Sequence, residues 1–402
     1  MKLVKSLLLG SIAGLAAVAG AQAADLPVAK AAPVEYVRVC STYGAGFFYI
    51  PGTETCLRIG GRVRAEYHYL EPETRLDDTI GFRARGRIQL DARTATAYGL
   101  LRTFVRFEMT RDTGVYGFSS TYADVDQAFI QFGGLTAGRA QTFFDNGDID
   151  PQSFGTLRWS DQPNVNLLAY TFSFGNGFSA TLSLEEGRYA GRDFLGYDFN
   201  PDPLVDDLRV AGQRMPDVVA NLTYTGTWGS ATVAGALHQI RGLADPAVVG
   251  AEIPDTEYGF AVTGQATFNL PMLAAGDALW IAATYADGAV GYLGYDDVAE
   301  ATYDVDGEID TTKGWSVAAG LRHYWTPEIR QNVFGSYARI EHGAGFAGGD
   351  FSEWRAGTNV IWSPVSGLDL GLEVLYANVN PRAPGESSSD AWEGRLRVQR
   401  DF

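Results

Sequence analysis

Apolar and polar residues alternate along most of this chain, beginning at Leu57. An alternation with a period of two is typical of a β-strand that has one apolar and one polar face. The two faces of the first run carry Leu57, Ile59, Gly61, Val63, Ala65, Tyr67 and Tyr69 on one side, and Arg58, Gly60, Arg62, Arg64, Glu66 and His68 on the other. The runs 80–91 and 101–109 repeat the pattern, although Phe104 interrupts the polar face of the third run.

The same pattern predicts thirteen further strands, so that sixteen lie between residue 57 and the end of the chain. They are expected at about 123–133, 134–143, 166–174, 178–186, 216–226, 230–239, 257–269, 277–286, 313–324, 329–341, 352–363, 368–378 and 391–402. Short connections rich in turn-forming residues alternate with long polar ones, which is typical of barrels of the bacterial outer membrane. The sequence therefore predicts an all-β fold, a 16-stranded antiparallel transmembrane β-barrel formed by residues 57–402.

Arginines on the polar faces decide which side of each strand meets lipid. Seven of them lie on the first three strands, and we call this set the arginine wall: Arg62, Arg64, Arg83, Arg85, Arg87, Arg102 and Arg106. An arginine facing the bilayer midplane costs about 2 to 4 kcal/mol, so seven of them would outweigh a typical stability of about 5 to 15 kcal/mol. We therefore predict that the apolar faces meet lipid and that the arginine wall is a permanently positive surface of the water-filled lumen.

The stretch from Gly138 to Gly155 begins as a strand and runs into three carboxylates, Asp145, Asp148 and Asp150, with no further strand until about residue 166. Long loops inside compact folds are usually either functional or disordered. Counting strands places this loop in the third outer connection. We predict that it folds into the lumen with its carboxylates facing the arginine wall. A solvated surface loop and an Asp-rich calcium turn are the alternatives, and the segment lacks the distal Glu of an EF-hand loop.

The N-terminus predicts export from the cytoplasm. Lys2 and Lys5 precede an apolar run, and Ala21-Gln22-Ala23 fits the small-x-small rule for signal peptidase, so residues 1–23 are expected to be a cleaved signal peptide. The apolar run has only about 15 residues, whereas a membrane-spanning helix needs about 20. Residues 24–56 then form a separate N-terminal segment ahead of the barrel.

Cys40 and Cys56 are the only cysteines of the chain. Because an exported protein meets an oxidising compartment, a disulfide between them is expected within the N-terminal segment. Free buried thiols and a metal-binding pair are the alternatives. A metal is disfavoured since no further His or Cys accompanies the two cysteines at ligand spacing.

Composition and motifs narrow the function. With 48 acidic against 31 basic residues the net charge is −17, so no nucleic-acid partner is expected. The common hydrolase, zinc-protease and P-loop motifs are absent, and neither an enzyme nor a cofactor is predicted. A hydrolase that uses His68 with a lumen-facing serine is a disfavoured alternative. The acidic stretch Asp296–Asp310 is expected to be a solvated outer loop, or one in which divalent cations bridge its carboxylates to lipopolysaccharide phosphates.

The last strand ends on Phe402, and a terminal aromatic residue on an amphipathic strand resembles the signal by which outer-membrane barrels reach their assembly machinery. The segment Val39–Tyr69 contains Cys-Ser-Thr-Tyr-Gly-Ala-Gly-Phe-Phe-Tyr-Ile-Pro-Gly and Leu-Arg-Ile-Gly-Gly-Arg-Val-Arg-Ala-Glu-Tyr. It resembles the alphaproteobacterial porin family found in Rhizobiales. Ala24-Asp25-Leu26-Pro27, the two cysteines and Phe402 also fit, so the resemblance covers essentially the whole mature chain.

This resemblance implies a trimeric, sixteen-stranded general-diffusion porin of the Gram-negative outer membrane, in contact with lipid and lipopolysaccharide, whose third outer loop folds inward as a constriction. Such a channel would pass small hydrophilic solutes and ions by passive diffusion. A substrate-selective channel for anions or sugars is one alternative, and a structural protein or adhesin with a plugged lumen is another. Pro151–Gly155 is similar to the Pro-Glu-Phe-Gly element of enteric porins without its acidic residue, which leaves Asp145, Asp148 and Asp150 as the expected negative side.

Overall fold

The computed structural model describes most of the chain from residue 38 onward. The described ranges are 38–117, 119–187, 209–243, 255–295, 298–303, 309–343, 349–383 and 385–402. The predicted signal peptide, residues 1–23, lies outside them. Within these ranges, no helix has both the length and the hydrophobicity that crossing a lipid bilayer requires.

Sixteen antiparallel strands, paired in chain order, form one sheet in the described part of the chain. Their bounds are β1 Cys56–Leu70, β2 Ile80–Thr96, β3 Gly99–Gly114, β4 Ser120–Phe132, β5 Leu135–Gln141, β6 Asn164–Gly175, β7 Phe178–Glu185, β8 Asp217–Gly226, β9 Gly229–Ile240, β10 Glu257–Asn269, β11 Ala278–Asp287, β12 Lys313–Thr326, β13 Ile329–Glu341, β14 Phe351–Val365, β15 Leu368–Pro381 and β16 Ser389–Asp401. Because β16 also pairs with β1, the sheet closes into a barrel. The predicted all-β, 16-stranded antiparallel barrel is confirmed.

Strand bounds agree with the predicted ones most closely where the alternation is regular. The predicted ranges 257–269 and 329–341 coincide with β10 and β13. β2 and β3 run further than predicted, since their backbone pairing continues from Thr96 opposite Gly99 to Gly81 opposite Gly114. Ladder hydrogen bonds do not require alternating side chains, so a pattern-based bound stops too early at the polar ends of the barrel.

The two faces of the strands differ in exposure. On the outer face, Val63, Phe82 and Met109 expose 58, 56 and 66% of their surface. On the inner face, Glu66 and Glu108 expose only 5 and 9%. The arginine wall shares the inner face with these carboxylates, so the apolar outer face is the one that can meet lipid hydrocarbon.

The last residue of the chain completes the barrel. The Phe402 N–H donates to the Gly61 carbonyl at 3.1 Å, and the Gly61 N–H donates to the Phe402 carbonyl at 2.9 Å. The Phe402 ring lies so close to β1 that a Cβ on Gly61 would stand 2.5 Å from the ring's Cζ. Next to this contact, Arg62 Nε and Asp401 Oδ1 are 2.5 Å apart. The seam between the first and last strands therefore depends on glycine at position 61.

The described part of the N-terminal segment forms a small hairpin on β1. Phe48–Tyr49 is a two-residue strand that pairs with Cys56 and Leu57 at the start of β1. Cys40 and Cys56 form a disulfide, with their Cα atoms 6.0 Å apart. The prediction of a disulfide is confirmed, and the alternatives of free thiols and a metal-binding pair are excluded.

Gly61→Val is expected to destabilise the barrel, because the added carbons would meet the Phe402 ring and the Arg87 carbonyl oxygen, 2.7 Å from the ideal Cβ position. Overpacking of this kind costs about 1 to 3 kcal/mol. The measurement is the temperature at which the folded barrel loses its heat-modifiable migration in SDS gel electrophoresis. Gly86→Val is the matched control, since a Cβ there has no atom within 4 Å. Equal losses in the two variants would contradict the role given to Gly61.

Candidate functional site

Carboxylates of neighbouring strands hold most members of the arginine wall. Arg83 binds Asp112 through two hydrogen bonds of 2.7 and 2.8 Å. Arg102 binds Asp91 in the same bidentate way, with both distances 3.0 Å. Two parallel N–H···O bonds fix the orientation of the guanidinium plane as well as the position of its charge. The wall is thus an ordered network of ion pairs on the inner face of the barrel.

The remaining pairs extend this network along β2 and across the seam. Glu108 accepts a hydrogen bond from Arg87 Nε at 2.5 Å and lies 3.4 Å from an Arg85 nitrogen. Arg62 binds Asp401 of β16. The sequence predicts that the third loop compensates these charges, whereas in the structure strand carboxylates pair with most of them. The signal was present, because they fall on the polar face of the alternation.

The three predicted loop carboxylates have different surroundings. Asp145 is only 5% exposed, and it accepts hydrogen bonds from Gln265 Nε2 of β10 at 2.6 Å and from a backbone N–H of its own loop at 3.0 Å. Asp148 is exposed. Asp150 is also exposed and pairs with Arg322 Nη1 of β12 at 2.7 Å. Asp148 therefore presents its charge to open space, Asp150 is exposed but paired with Arg322, and Asp145 is engaged in holding the loop.

Residues 142–163, between β5 and β6, are anchored to the inner face at several places, and Glu373 of β15 makes one anchor. Its carboxylate is 1% exposed and accepts the backbone N–H groups of Phe154 and Gly155, each at 2.6 Å. Asn359 Nδ2 of β14 donates to the same carboxylate at 2.9 Å. Residues 151–155 contain no acidic side chain of their own, and the carboxylate that binds their backbone comes from the barrel wall.

Arg158 makes a second anchor of the 142–163 loop. Its Nε donates to Glu353 Oε2 of β14 at 2.8 Å, and its backbone N–H donates to Ser336 Oγ of β13 at 3.0 Å. Near the start of the loop, the Asn146 backbone N–H donates to Gln265 Oε1 at 2.8 Å. These partners lie on the inner faces of β10, β13 and β14, so the loop follows those strands over much of its length.

Apolar side chains fill the space beneath the loop. Phe144, Ile149, Leu157 and Trp159 are at most 3% exposed. The inner faces opposite them carry small buried residues, namely Ala234, Ala236, Ala261, Ala282, Ala286, Ala318 and Ala338. Trp159 also packs on Trp280 of β11, with ring centroids 5.3 Å apart. Small wall residues leave room for the large loop residues, and the burial of these apolar groups stabilises the loop against the wall.

A second connection packs on the same loop. Val290–Leu293 form a short 3-10 helix after β11 whose residues are all buried. The Tyr292 ring lies 4.5 Å from the Phe144 ring, centroid to centroid, and its hydroxyl donates to Asp217 Oδ2 of β8 at 2.7 Å. The other Asp217 oxygen lies 2.7 Å from His238 Nδ1 of β9. The 3-10 helix is thereby tied to the wall on one side and to the 142–163 loop on the other.

The prediction of a solvated acidic stretch after β11 is wrong for Glu300. This residue is 1% exposed and accepts the backbone N–H groups of Val290 and Gly291 at 2.6 and 2.9 Å. Its carboxylate caps the 3-10 helix and is removed from solvent, so it cannot hold a cation at the surface. Five other carboxylates of that stretch lie outside the described residues: Asp296, Asp297, Asp304, Asp306 and Glu308.

Three cavities of about 750, 380 and 300 Å³ lie along the 142–163 loop. Both Arg106 and Asp148 line the largest. The second lies between Arg64 and Asp150, and the third is bordered by both aspartates. Two of these cavities are therefore lined both by guanidinium groups of the arginine wall and by loop carboxylates.

Unusual backbone conformations are concentrated in this loop. In the described part of the chain, four non-glycine residues have a positive φ, and three of them lie here: Gln152 at 55°, Asp161 at 58° and Gln162 at 53°. Such conformations persist only where the surroundings fix the backbone. Gln162 Nε2 supplies such a restraint by donating to the loop carbonyls of Asn146 and Ile149. Asp161 also borders the 380 Å³ cavity and is a loop carboxylate that the sequence analysis missed.

Comparison with known proteins identifies the family. The family model for the Porin subfamily matches residues 25–394. Porin Omp2b of Brucella suis is 33% identical over 425 residues, which cover 99% of this chain and 100% of that protein. Porin Omp2b of Brucella abortus (strain 2308) is 32% identical over 418 residues and 99% of each chain.

Solved structures show the same fold at low sequence identity. The outer membrane channel DcaP of Acinetobacter baumannii has a TM-score of 0.69 and 17% identity, with 88% of this chain and 99% of that chain covered. The trimer form of Vibrio cholerae OmpT has a TM-score of 0.53 and 10% identity, with 87 and 100% covered. Given the family match and the relatives above 30% identity over nearly the full length, this chain belongs to the porin subfamily of outer-membrane barrel proteins.

Proposed function

We propose that the protein is a general-diffusion porin whose lumen is narrowed by the inward-folded 142–163 loop. The observation that carries this proposal is that Asp148 and Asp150 line cavities that members of the arginine wall also line. The loop's anchors to Glu373 and Glu353 hold it toward β14 and β15. The path left for water and solutes then runs between the loop and the arginine wall.

Opposite charges on the two sides of this path give it a transverse electric field. Small hydrated solutes can orient in the field and exchange some of their water for polar side chains, whereas apolar solutes gain nothing in return. Passage is passive diffusion down a gradient and needs no chemical step. Salt screens the field beyond about 10 Å at 0.1 M, so selectivity depends most on the charges that border the path directly.

Assembly and insertion are proposed on the same basis. One solved relative of the fold is described as a trimer, and we infer a homotrimer for this chain, in contact with outer-membrane lipid and lipopolysaccharide. Phe402 exposes 68% of its surface while its backbone closes the barrel. That combination suits a residue that the barrel assembly machinery binds before the first and last strands pair. Residues 1–23 remain the proposed signal peptide.

Replacing Asp148 and Asp150 together by Asn is expected to lower the preference for cations without closing the channel. A unit charge about 6 Å from a passing ion contributes about 0.7 kcal/mol in water, so the permeability ratio of cation to anion should fall by about threefold or more. The measurement is the reversal potential in a planar bilayer under a KCl gradient.

A matched control separates this local effect from the total charge. Glu73→Gln with Asp78→Asn removes two charges from exposed positions in the first outer connection. This control pair should leave the permeability ratio nearly unchanged. Equal shifts in the two double variants, or no shift in either, would defeat the constriction proposal.

Asp145→Asn is expected to lower the stability of the folded protein instead, since Asp145 is a buried hydrogen-bond acceptor.

Glu373→Gln is expected to loosen the loop, because an amide offers one acceptor oxygen to the Phe154 and Gly155 N–H groups in place of two. A hydrogen bond to a charged group contributes about 1.5 to 3 kcal/mol, so protection of these amides from hydrogen exchange should fall about tenfold or more. Exchange is measured by mass spectrometry on peptides that cover residues 151–157. Glu341→Gln is the control, since its side chain is 48% exposed. Unchanged protection of these amides in the Glu373 variant would show that Glu373 does not anchor the loop.

A further inference from the structure

The arginine wall contains two pairs of like charges directly across from one another. In the register of β1 and β2, Arg62 lies opposite Arg87, and Arg64 lies opposite Arg85. Like charges in such positions destabilise a sheet unless nearby anions compensate them. Glu108 supplies that compensation to Arg85 and Arg87 of β2. Arg62 and Arg64 of β1 then each need an anion of their own.

Arg64 is the member of the arginine wall that lacks a carboxylate partner among the described residues. Each of the other six has a carboxylate oxygen within 4 Å of a guanidinium nitrogen. Among the described residues, Arg64 has no such ion pair. Its Nε donates to Gln399 Oε1 at 2.9 Å, and Gln399 Nε2 donates in turn to Asp401 at 3.1 Å. A neutral amide therefore orients the Arg64 guanidinium without cancelling its charge.

The surroundings of Arg64 can accept a small solute. The 380 Å³ cavity that it borders is also lined by Arg62, Arg397, Gln399 and Gln152. Arginine and glutamine side chains from the wall and from the loop thus border one open space. Because Arg62 and Arg397 are engaged by Asp401 and Glu66, the uncompensated positive charge on this side belongs to Arg64.

Loop and wall carboxylates on the same cavity give the space a direction. Asp150 pairs with Arg322, and Asp369 pairs with Arg330 at 2.7 Å. Asp161 borders the cavity from the loop. Asp150 and Asp369 are offset by their arginines, so the direction comes from Asp161 on the loop and Arg64 on β1, toward which an entering anionic group is drawn.

We propose that Arg64 is a transient binding site for the oxyanion group of small solutes that carry a carboxylate or a phosphate. The guanidinium fork matches the geometry of two oxyanion oxygens, and the bound group takes the place that strand carboxylates occupy beside the other arginines. Arg64 is partly exposed to a wet lumen, so the bound anion can leave again, as conduction requires. This proposal rests on the proposed channel function, and it names a class of solutes that the channel binds.

Inorganic phosphate is the probe, added at constant ionic strength to a Tris-chloride buffer in planar-bilayer recordings of the full protein. The expected result is a single-channel current that falls saturably as phosphate rises. Arg64→Gln should raise the half-blocking phosphate concentration about tenfold, the scale of one charge-assisted hydrogen-bond pair. Arg64→Lys should give an intermediate value, because lysine keeps the charge but lacks the planar fork.

Arg75→Gln is the matched control, since it removes the same charge from an exposed position in the first outer connection. It should leave the half-blocking concentration unchanged. Equal shifts in the Arg64 and Arg75 variants would assign the effect to overall charge and overturn the site. A conducting wild-type channel without saturable block would overturn the site and leave the channel function standing, whereas a protein that forms no conducting channel would overturn both. Heat-modifiable migration of each variant verifies that the barrel has folded.

Discussion

Every backbone N–H and C=O group within a bilayer needs a partner inside the protein, and for strands only a closed sheet provides one throughout. This constraint connects the two ends of the chain: Gly61 and Phe402 exchange backbone hydrogen bonds, and Arg62 and Asp401 pair beside them. The period of two has the same origin, because every strand of a closed sheet has one face toward lipid and one toward the lumen. The fold is therefore specified by a pattern spread over sixteen strands.

Closure also gathers the polar side chains of all strands into one confined space, which makes charge compensation the next constraint. An isolated buried guanidinium is costly, whereas one that is paired and hydrogen-bonded is tolerated. The bidentate contact of Arg83 with Asp112 and the position of Glu108 between Arg85 and Arg87 follow from this rule. A count of arginines overstates the charge that a solute meets, since the compensated ones act mainly as structure. The electrostatic character of the path then depends on the few groups left over.

The strands can be predicted from the sequence because alternation is a local pattern. Contacts between residues that are distant in the chain cannot be predicted in this way. The Phe154 N–H and its acceptor Glu373 are 219 positions apart, and Asn146 is 119 positions from Gln265. No short pattern encodes such contacts, so Asp145 and Asp148 look alike in sequence although one is buried and the other exposed. Phe104, the exception on the polar face of β3, is explained only by the structure: it is 6% exposed and stacks on Phe129 of β4, with ring centroids 5.3 Å apart.

An apolar core inside a water-filled barrel limits where the path can run. Phe144 and Trp159 of the loop and Tyr292 of the second connection are buried against small wall residues on the side away from the arginine wall. To move the loop, its polar anchors and this core would have to be broken together, and burying a large side chain contributes about 1.5 to 3 kcal/mol for each one. A loop held in this way keeps its position against the wall. The 750 and 380 Å³ cavities remain beside the arginine wall, because packing fills the other side.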